Sequence, residues 1–214
     1  MPSQDVCDDL FNQPYYYLGS GCQTYSFRSQ DGQYVIKFFK QRPMRLSWWR
    51  RLLAPFSAEA SRRLGVREAL YSSCLLAFRE LAHEAKLIAL HLTRDATPTR
   101  RLTLCDQNGK WHTLQLSEME FAVQRYGLPC GDRLSECIAE GRRDEAAALK
   151  RKILSLIERL QAKRIIDTDM VFEKNYGLVD GEPFLIDIGS LERGPYRNQV
   201  REMERRIAAF LDTE

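Results

Sequence analysis

From Tyr15 onward, short apolar runs alternate with turn residues, and the period of those runs changes along the chain. Residues 15–29, YYYLGSGCQTYSFRS, read as a strand, a glycine turn and a second strand. A DGQ turn at 31–33 leads into YVIKFFK at 34–40, whose β-branched and aromatic residues suit a pleated surface. Pro43, Pro55 and Gly65 prevent 41–65 from forming one continuous helix. A helical period then runs from Val66 to His91, carried by Leu70, Cys74, Ala77, Phe78, Leu81, Ala85 and Ile88. RLTLCD, the turn QNGK and WHTLQL predict a hairpin; EFAVQRY at 120–126 predicts one more strand, ended by Gly127 and Pro129.

Near Gln124–Gly131 the pattern becomes helical. Residues 131–163 carry Ala146, Ala147 and Ala148 into the apolar positions Leu149, Ile153, Leu156, Ile157 and Leu160. YGLVD and PFLIDIG, joined by DGE at 180–182, predict a small hairpin, and Arg201–Leu211 a closing helix. The expectation is an α+β chain of two lobes. Residues 1–126 would hold an antiparallel sheet with the glycine turn, the lysine strand, a long helix and a hairpin. Residues 127–214 would form a reduced helical lobe.

Composition narrows the function classes. Hydrophobic residues make up 44%, enough for a core without a metal or disulfide staple, and the formal charge of +3 does not itself imply nucleic acid. Cys7, Cys22, Cys74, Cys105, Cys130 and Cys137 form no CxxC pair, and His83, His91 and His112 lack ligand spacing to them. Reduced thiols of a cytoplasmic protein are expected. The start MPSQDVCDDLFNQ has neither a basic region nor an apolar core of a secretion signal, and no run reaches membrane-spanning length. The segment Arg42–Phe56 interleaves arginines with Trp48, Trp49, Leu52, Leu53 and Phe56. Such a stretch suits an anionic membrane surface; equally, a helix can pack its tryptophans inward and expose its arginines. Nucleic acid is the weaker reading.

Four pieces carry the chemistry. Gly19-Ser20-Gly21 lies between two strands, where backbone N–H groups approach phosphate oxygens unobstructed; a plain hairpin turn has the same composition. Lys37, flanked by apolar residues in VIKFF, needs a partner for its charge unless it faces solvent. Glu84 in HEAKLIALHL could orient that lysine, with Glu80 as a rival one turn earlier. The stretch RIIDTDMVFEKNYGLVDGEPFLIDIGS places Asp167, Asp169, Asn175 and Asp187 around a short hairpin. Metal-assisted phosphoryl transfer wants such groups on loops at strand ends: one acid orients the attacking group, an amide and a second acid hold magnesium.

Taken together, these motifs resemble the protein-kinase-like superfamily. LGSGCQTYSF resembles its glycine-rich loop, VIK its lysine strand, IIDTDMVFEKN its catalytic loop and DIG its magnesium motif, with Glu84 matching the acid of the third helix. The resemblance runs from Tyr15 to Ser190. The chain is also similar to uncharacterised proteins of chlamydial bacteria sharing a D-x-D…N-[YF]-G…IDIG ending, and its short C-lobe to lipopolysaccharide kinases. The resemblance implies ATP and Mg2+ as cofactors. Gly19, Ser20 and Gly21 would cover the phosphates, which Lys37 and Glu84 would position. Backbone groups near Gln124–Tyr126 would meet adenine, and Asn175 and Asp187 would bind magnesium. Asp169, with Asp167 as second choice, would orient the acceptor.

The match departs from the pattern in three places. Thr24 stands where a third glycine is usual. Asp169 lies six residues before Asn175 rather than five, and Asp167 eight. Only 25 residues follow Gly189, leaving no room for peptide-docking helices, so a non-peptide acceptor is expected: a small molecule, lipid or saccharide. The leading reading is an ATP- and magnesium-dependent phosphotransferase. The alternatives are a pseudokinase that binds nucleotide or a partner without catalysis, and an interaction protein acting through Arg42–Phe56 at a membrane surface.

Overall fold

A computed structural model describes residues 10–40, 58–93, 100–195 and 198–212, with the side chains of 58–64 excepted. The Trp/Arg segment Arg42–Phe56 lies outside the described residues. No helix among them is long and apolar enough to cross a membrane. The chain divides into two compact units: Met1–Leu75 with Leu87–Tyr126, and Leu76–Lys86 with Gly127–Glu214.

The first unit is built on a seven-stranded sheet. β1 (Tyr15–Ser20), β2 (Thr24–Ser29), β3 (Tyr34–Phe39), β4 (Leu87–His91), β5 (Arg101–Cys105), β6 (Trp111–Gln115) and β7 (Phe121–Arg125) run in the order β4-β7-β3-β2-β1-β5-β6. All pairs are antiparallel except β1 with β5, which is parallel. Leu10, Tyr15, Phe27, Ile36, Phe38, Leu102, Leu104, Leu116, Phe121 and Val123 form its core. Tyr15 is fully buried, and its hydroxyl donates to the Leu10 carbonyl at 2.8 Å, so no polar group is stranded there.

The predicted helix over Val66–His91 requires correction. Helix α1 spans Ala58–Glu80, a looser turn follows, and Leu87–His91 is strand β4, paired antiparallel with β7. Lys86 marks the change with φ of 47°, a left-handed conformation that ends helical continuation. An apolar run as short as LIALH satisfies a helical stripe and a buried strand alike.

In the second unit, α2 (Cys130–Ala139) and α3 (Arg143–Ala162) replace the single helical stretch expected over 131–163. α3 buries Leu149, Ile153, Leu156, Ile157 and Leu160, one face of a 3.6-residue period, and packs against α5 (Gln199–Leu211). α5 begins two residues earlier than predicted because the Asn198 side chain caps it, accepting from the Arg201 N–H at 3.2 Å. β8 (Leu128–Pro129), β10 (Tyr176–Val179) and β11 (Glu182–Leu185) make a three-stranded sheet, and β9 (Ile165–Asp167) pairs with β12 (Leu191–Arg193). The β10–β11 loop is Asp180-Gly181, both at positive φ (53° and 75°), as a tight two-residue hairpin turn requires.

A short helix, α4 (Phe172–Asn175), approaches the start of α2 at Gly131. A Cβ on Gly131 would lie 2.9 Å from the Glu173 Cα and 3.0 Å from its carbonyl oxygen, closer than packed atoms come. Gly131→Ala should therefore cost about 1–3 kcal/mol, read as a lower denaturation midpoint in urea.

Candidate active site

The second unit holds Glu84 and gathers Asp167, Asp169, Asn175 and Asp187 around its hairpin. Tyr176 pairs with Leu185, so Asn175 and Ile186 stand at the open end of the β10–β11 hairpin. There the Asn175 carbonyl accepts from the N–H of Ile186 at 2.8 Å and of Asp187 at 3.3 Å. The backbone thus ties the amide-bearing residue to the acid that follows β11.

Asn175 also reaches back to Asp169. Its Nδ2 donates to the Asp169 carbonyl at 2.8 Å and to Oδ2 of the Asp169 carboxylate at 3.2 Å. Between them lies the single turn of α4, where the Lys174 and Asn175 N–H groups both bond to the Val171 carbonyl. Asp169 is exposed, and one carboxylate oxygen remains for a ligand. Asp187 is half-buried and uses Oδ1 to accept from the Gly189 N–H at 2.8 Å, which fixes the turn after β11.

Asp167 is different in kind. It is 4% exposed, and its carboxylate accepts from the Tyr176 hydroxyl, the Asp169 N–H (2.9 Å) and the Ser190 hydroxyl (2.9 Å). Burial pushes its pKa up, aided by the nearby charge of Asp187 and opposed by the three hydrogen bonds. Of the two acids weighed for orienting an acceptor, only Asp169 faces outward.

Glu84 lies in the turn after α1 rather than on the helix, and is 7% exposed. The Lys163 ammonium donates to Glu84 Oε1 at 2.8 Å and to the Glu80 carbonyl at 2.7 Å, while Arg193 pairs with the Glu80 carboxylate. Burial works to raise the Glu84 pKa, but the Lys163 hydrogen bond, a bond from its own backbone N–H and the charges of Lys163 and His83 together reverse that, leaving it below the ordinary glutamate value.

The first unit holds the other candidates. Gly19, at the end of β1, and Gly21, in the turn after it, have neither positive φ nor any atom within 4 Å of where a Cβ would project. Nothing in the fold demands glycine at either position, in contrast to Gly131. Lys37 sits half-buried at the centre of β3, opposite Ser26 and Ala122. Gln124 is 1% exposed in β7, and the Tyr126 N–H is bonded to the Gln33 carbonyl at 2.8 Å. Sequence reasoning passed over Lys40. Its ammonium donates to the Ser20 hydroxyl at 2.7 Å and the Gly21 carbonyl at 2.6 Å, bracing the glycine turn. A lone lysine just past a strand carries no signal by which that contact could have been found.

For a magnesium ion the donor chemistry is suitable. With Nδ2 committed to Asp169, Asn175 has its carbonyl Oδ1 to offer, and Asp187 has Oδ2. Hard oxygen donors from one or two residues, completed by phosphates and water, are the usual protein share of a magnesium shell. No group of three or more His, Cys, Asp or Glu converges as a metal cage among the described residues.

No protein-family model and no curated protein matches the chain. Among solved structures it is similar to the crystal structure of WbdD, at 16% identity and a TM-score of 0.50 over 90% of this chain. It spans only 36% of that chain, about a third of WbdD's length. Likeness at that identity is one of fold, and the α+β architecture in two compact units is consistent with the kinase-like fold that the sequence motifs imply.

The Glu84–Lys163 pair makes a pH prediction. A carboxylate with a lowered folded pKa binds fewer protons folded than unfolded, so its stabilisation is present above the unfolded value and lost as pH falls through the folded one. Lys163 is 38% exposed and the pair is partly screened, so Glu84→Gln should cost about 1 kcal/mol at neutral pH. The difference between the two proteins, followed by urea denaturation, should shrink toward zero as the buffer is made acidic.

Proposed function

We propose that this chain is an ATP- and magnesium-dependent phosphotransferase acting on a hydroxyl of a non-peptide acceptor. The observation carrying this reading is the bonded set Asp169–Asn175–Asp187: an exposed carboxylate, an amide that holds it, and a second carboxylate tied to that amide's backbone. The kinase-like fold supports it at the level of architecture.

In this reading Asn175 Oδ1 and Asp187 Oδ2 would hold Mg2+, which when bound neutralises phosphate charge. Gly19, Ser20 and Gly21 would cover the phosphates, the two glycines leaving the backbone open, with Lys37 as their cation. Glu84, held by Lys163, fixes the turn after α1. Adenine would meet the Gln124–Tyr126 segment through groups other than the Tyr126 N–H. Asp169 Oδ2 is occupied by Asn175, so Oδ1 accepts the acceptor hydroxyl's hydrogen and aligns its oxygen for attack. As the new oxygen–phosphorus bond forms and ADP departs, the hydroxyl proton passes to that carboxylate.

The segment after the magnesium motif supports a non-peptide acceptor. The Ser190 carbonyl immediately accepts from the Thr168 N–H and hydroxyl, at 2.9 and 2.8 Å, and Leu191 pairs with Asp167. The chain returns to β9 at once, with no excursion between Gly189 and β12 on which to lay a peptide.

One observation favours a second reading, nucleotide binding without transfer: the carboxylate of Glu84 is already engaged by Lys163. Thermal shift and turnover separate the two. At ~100 times its Kd, ATP with magnesium adds about 2.7 kcal/mol to the folded state, on the order of 5–10 °C for a chain this size. Asp187→Ala should lose the shift, and Gly21→Ala should weaken it without moving the melting temperature of the free protein. Asp169→Asn should keep the shift while transfer of labelled γ-phosphate, to water or to pooled hydroxyl acceptors, falls about 10²–10⁴-fold. A magnesium-dependent shift with no transfer by the wild type would favour the second reading. No shift with any nucleotide would sink both.

A further inference from the structure

A buried carboxylate whose bonded partners are two hydroxyls and an amide N–H is an expensive way to hold a loop, since desolvating the charge costs several kcal/mol. β9 and β12 are already paired through Asp167, Ile166 and Ile165, and the side chains of Ile165 and Ile166 are buried. Asp167 therefore does something that the strand pairing does not.

Each of its three hydrogen bonds ends on a different part of the candidate site. The Asp169 N–H belongs to the acid that faces outward. Tyr176, fully buried, is the residue after Asn175 and begins β10. Ser190 follows the Asp187–Gly189 turn, and its hydroxyl shares Oδ1 of Asp167 with the Asp169 N–H. Asp167 itself is anchored from behind. Its N–H donates to Gln199 Oε1 at 2.8 Å, Gln199 Nε2 donates to the Ile165 carbonyl at 3.0 Å, and Gln199 is 4% exposed at the start of α5.

We infer that Asp167 is a positioning residue: its carboxylate clamps the Asp169 loop, the Asn175–Tyr176 junction and the turn after Asp187 into one mutual register, without touching substrate. This rests on the reading of Asp169, Asn175 and Asp187 as the acceptor-orienting and magnesium-holding set. A clamp of this kind couples places that do not touch. Removing the Ser190 hydroxyl loosens the carboxylate, and the loosened carboxylate releases the Asp169 N–H.

Amide exchange by NMR on the full chain tests the coupling directly, with Ser190→Ala, Ser190→Thr and Tyr176→Phe beside the wild type. These variants leave Asp167 in place and so avoid burying a new group at that position. In Ser190→Ala, exchange at Asp169 should quicken about fivefold, the equivalent of one net hydrogen bond, while amides of β3 and β7 keep their rates. Ser190→Thr, which restores a hydroxyl, should return Asp169 to the wild-type rate. Tyr176→Phe should act on Asp169 in the same direction as Ser190→Ala. The affinity of Mn2+ with ATP, read from the Mn2+ electron paramagnetic resonance spectrum, should fall several-fold in Ser190→Ala and recover in Ser190→Thr. Faster exchange confined to residues bordering position 190, with Asp169 unchanged, overturns the clamp. So does a change at Asp169 that Ser190→Thr fails to reverse. Coupled exchange in a protein that binds no Mn2+ with ATP upholds the clamp and removes the nucleotide reading instead.

Discussion

Asp180 and Gly181 both adopt left-handed backbone, and the two-residue turn they make sets the register of the β10–β11 hairpin. Everything proposed for the site depends on that register. Because Tyr176 faces Leu185, the next residues outward, Asn175 and Ile186, meet at the hairpin mouth, and the Asn175 carbonyl gathers the N–H groups of Ile186 and Asp187. A slip of one residue would turn each side chain to the opposite face and carry Asp187 away from Asn175. The turn is pinned from outside as well, by Lys152 donating to the Gly181 carbonyl at 2.6 Å and to Glu182 at 2.8 Å. Leu185 is fixed by its N–H on the Glu84 carbonyl.

Two buried carboxylates serve this arrangement in opposite electrostatic ways. Glu84 has a cation, Lys163, and its pKa is lowered; it secures the turn after α1 to the start of the segment that leads into β9. Asp167 has hydroxyl and amide donors, and burial raises its pKa. Hydrogen bonds from neutral donors to a carboxylate are directional, and the cost of burying the charge offsets much of their strength, which suits holding three loops at fixed angles better than adding stability. Asp169, exposed and bonded on one side only, is left free to meet a ligand.

Much of the fold was legible because it is encoded locally. The DGE turn, the QNGK hairpin and the aromatic strand YVIKFF each carry their own signal within a few residues, and the α+β two-lobed class follows from their order. The end of α1 was not legible, since LIALH fits either period and only its pairing with β7 decides. Nor did the sequence show how Asp167 differs from Asp169, beyond placing Asp169 first as the acid to orient an acceptor. The difference is burial, imposed by Tyr176 nine residues on, Ser190 twenty-three on and Gln199 thirty-two on. Such contacts exist only once the chain is folded. Lys40 illustrates the same limit: its bonds to Ser20 and Gly21 cross twenty residues of a hairpin and leave no trace in spacing.

Asn175 and Asp187 are proposed to hold a magnesium ion bound to nucleotide. A crystal structure of the full chain grown with magnesium and a non-hydrolysable ATP analogue tests it most directly. A metal should lie about 2.0–2.2 Å from Asn175 Oδ1 and from an oxygen of Asp187, with phosphate oxygens completing its shell. A nucleotide bound with its metal held by other residues, or crystals that take up neither at saturating concentration, would contradict it.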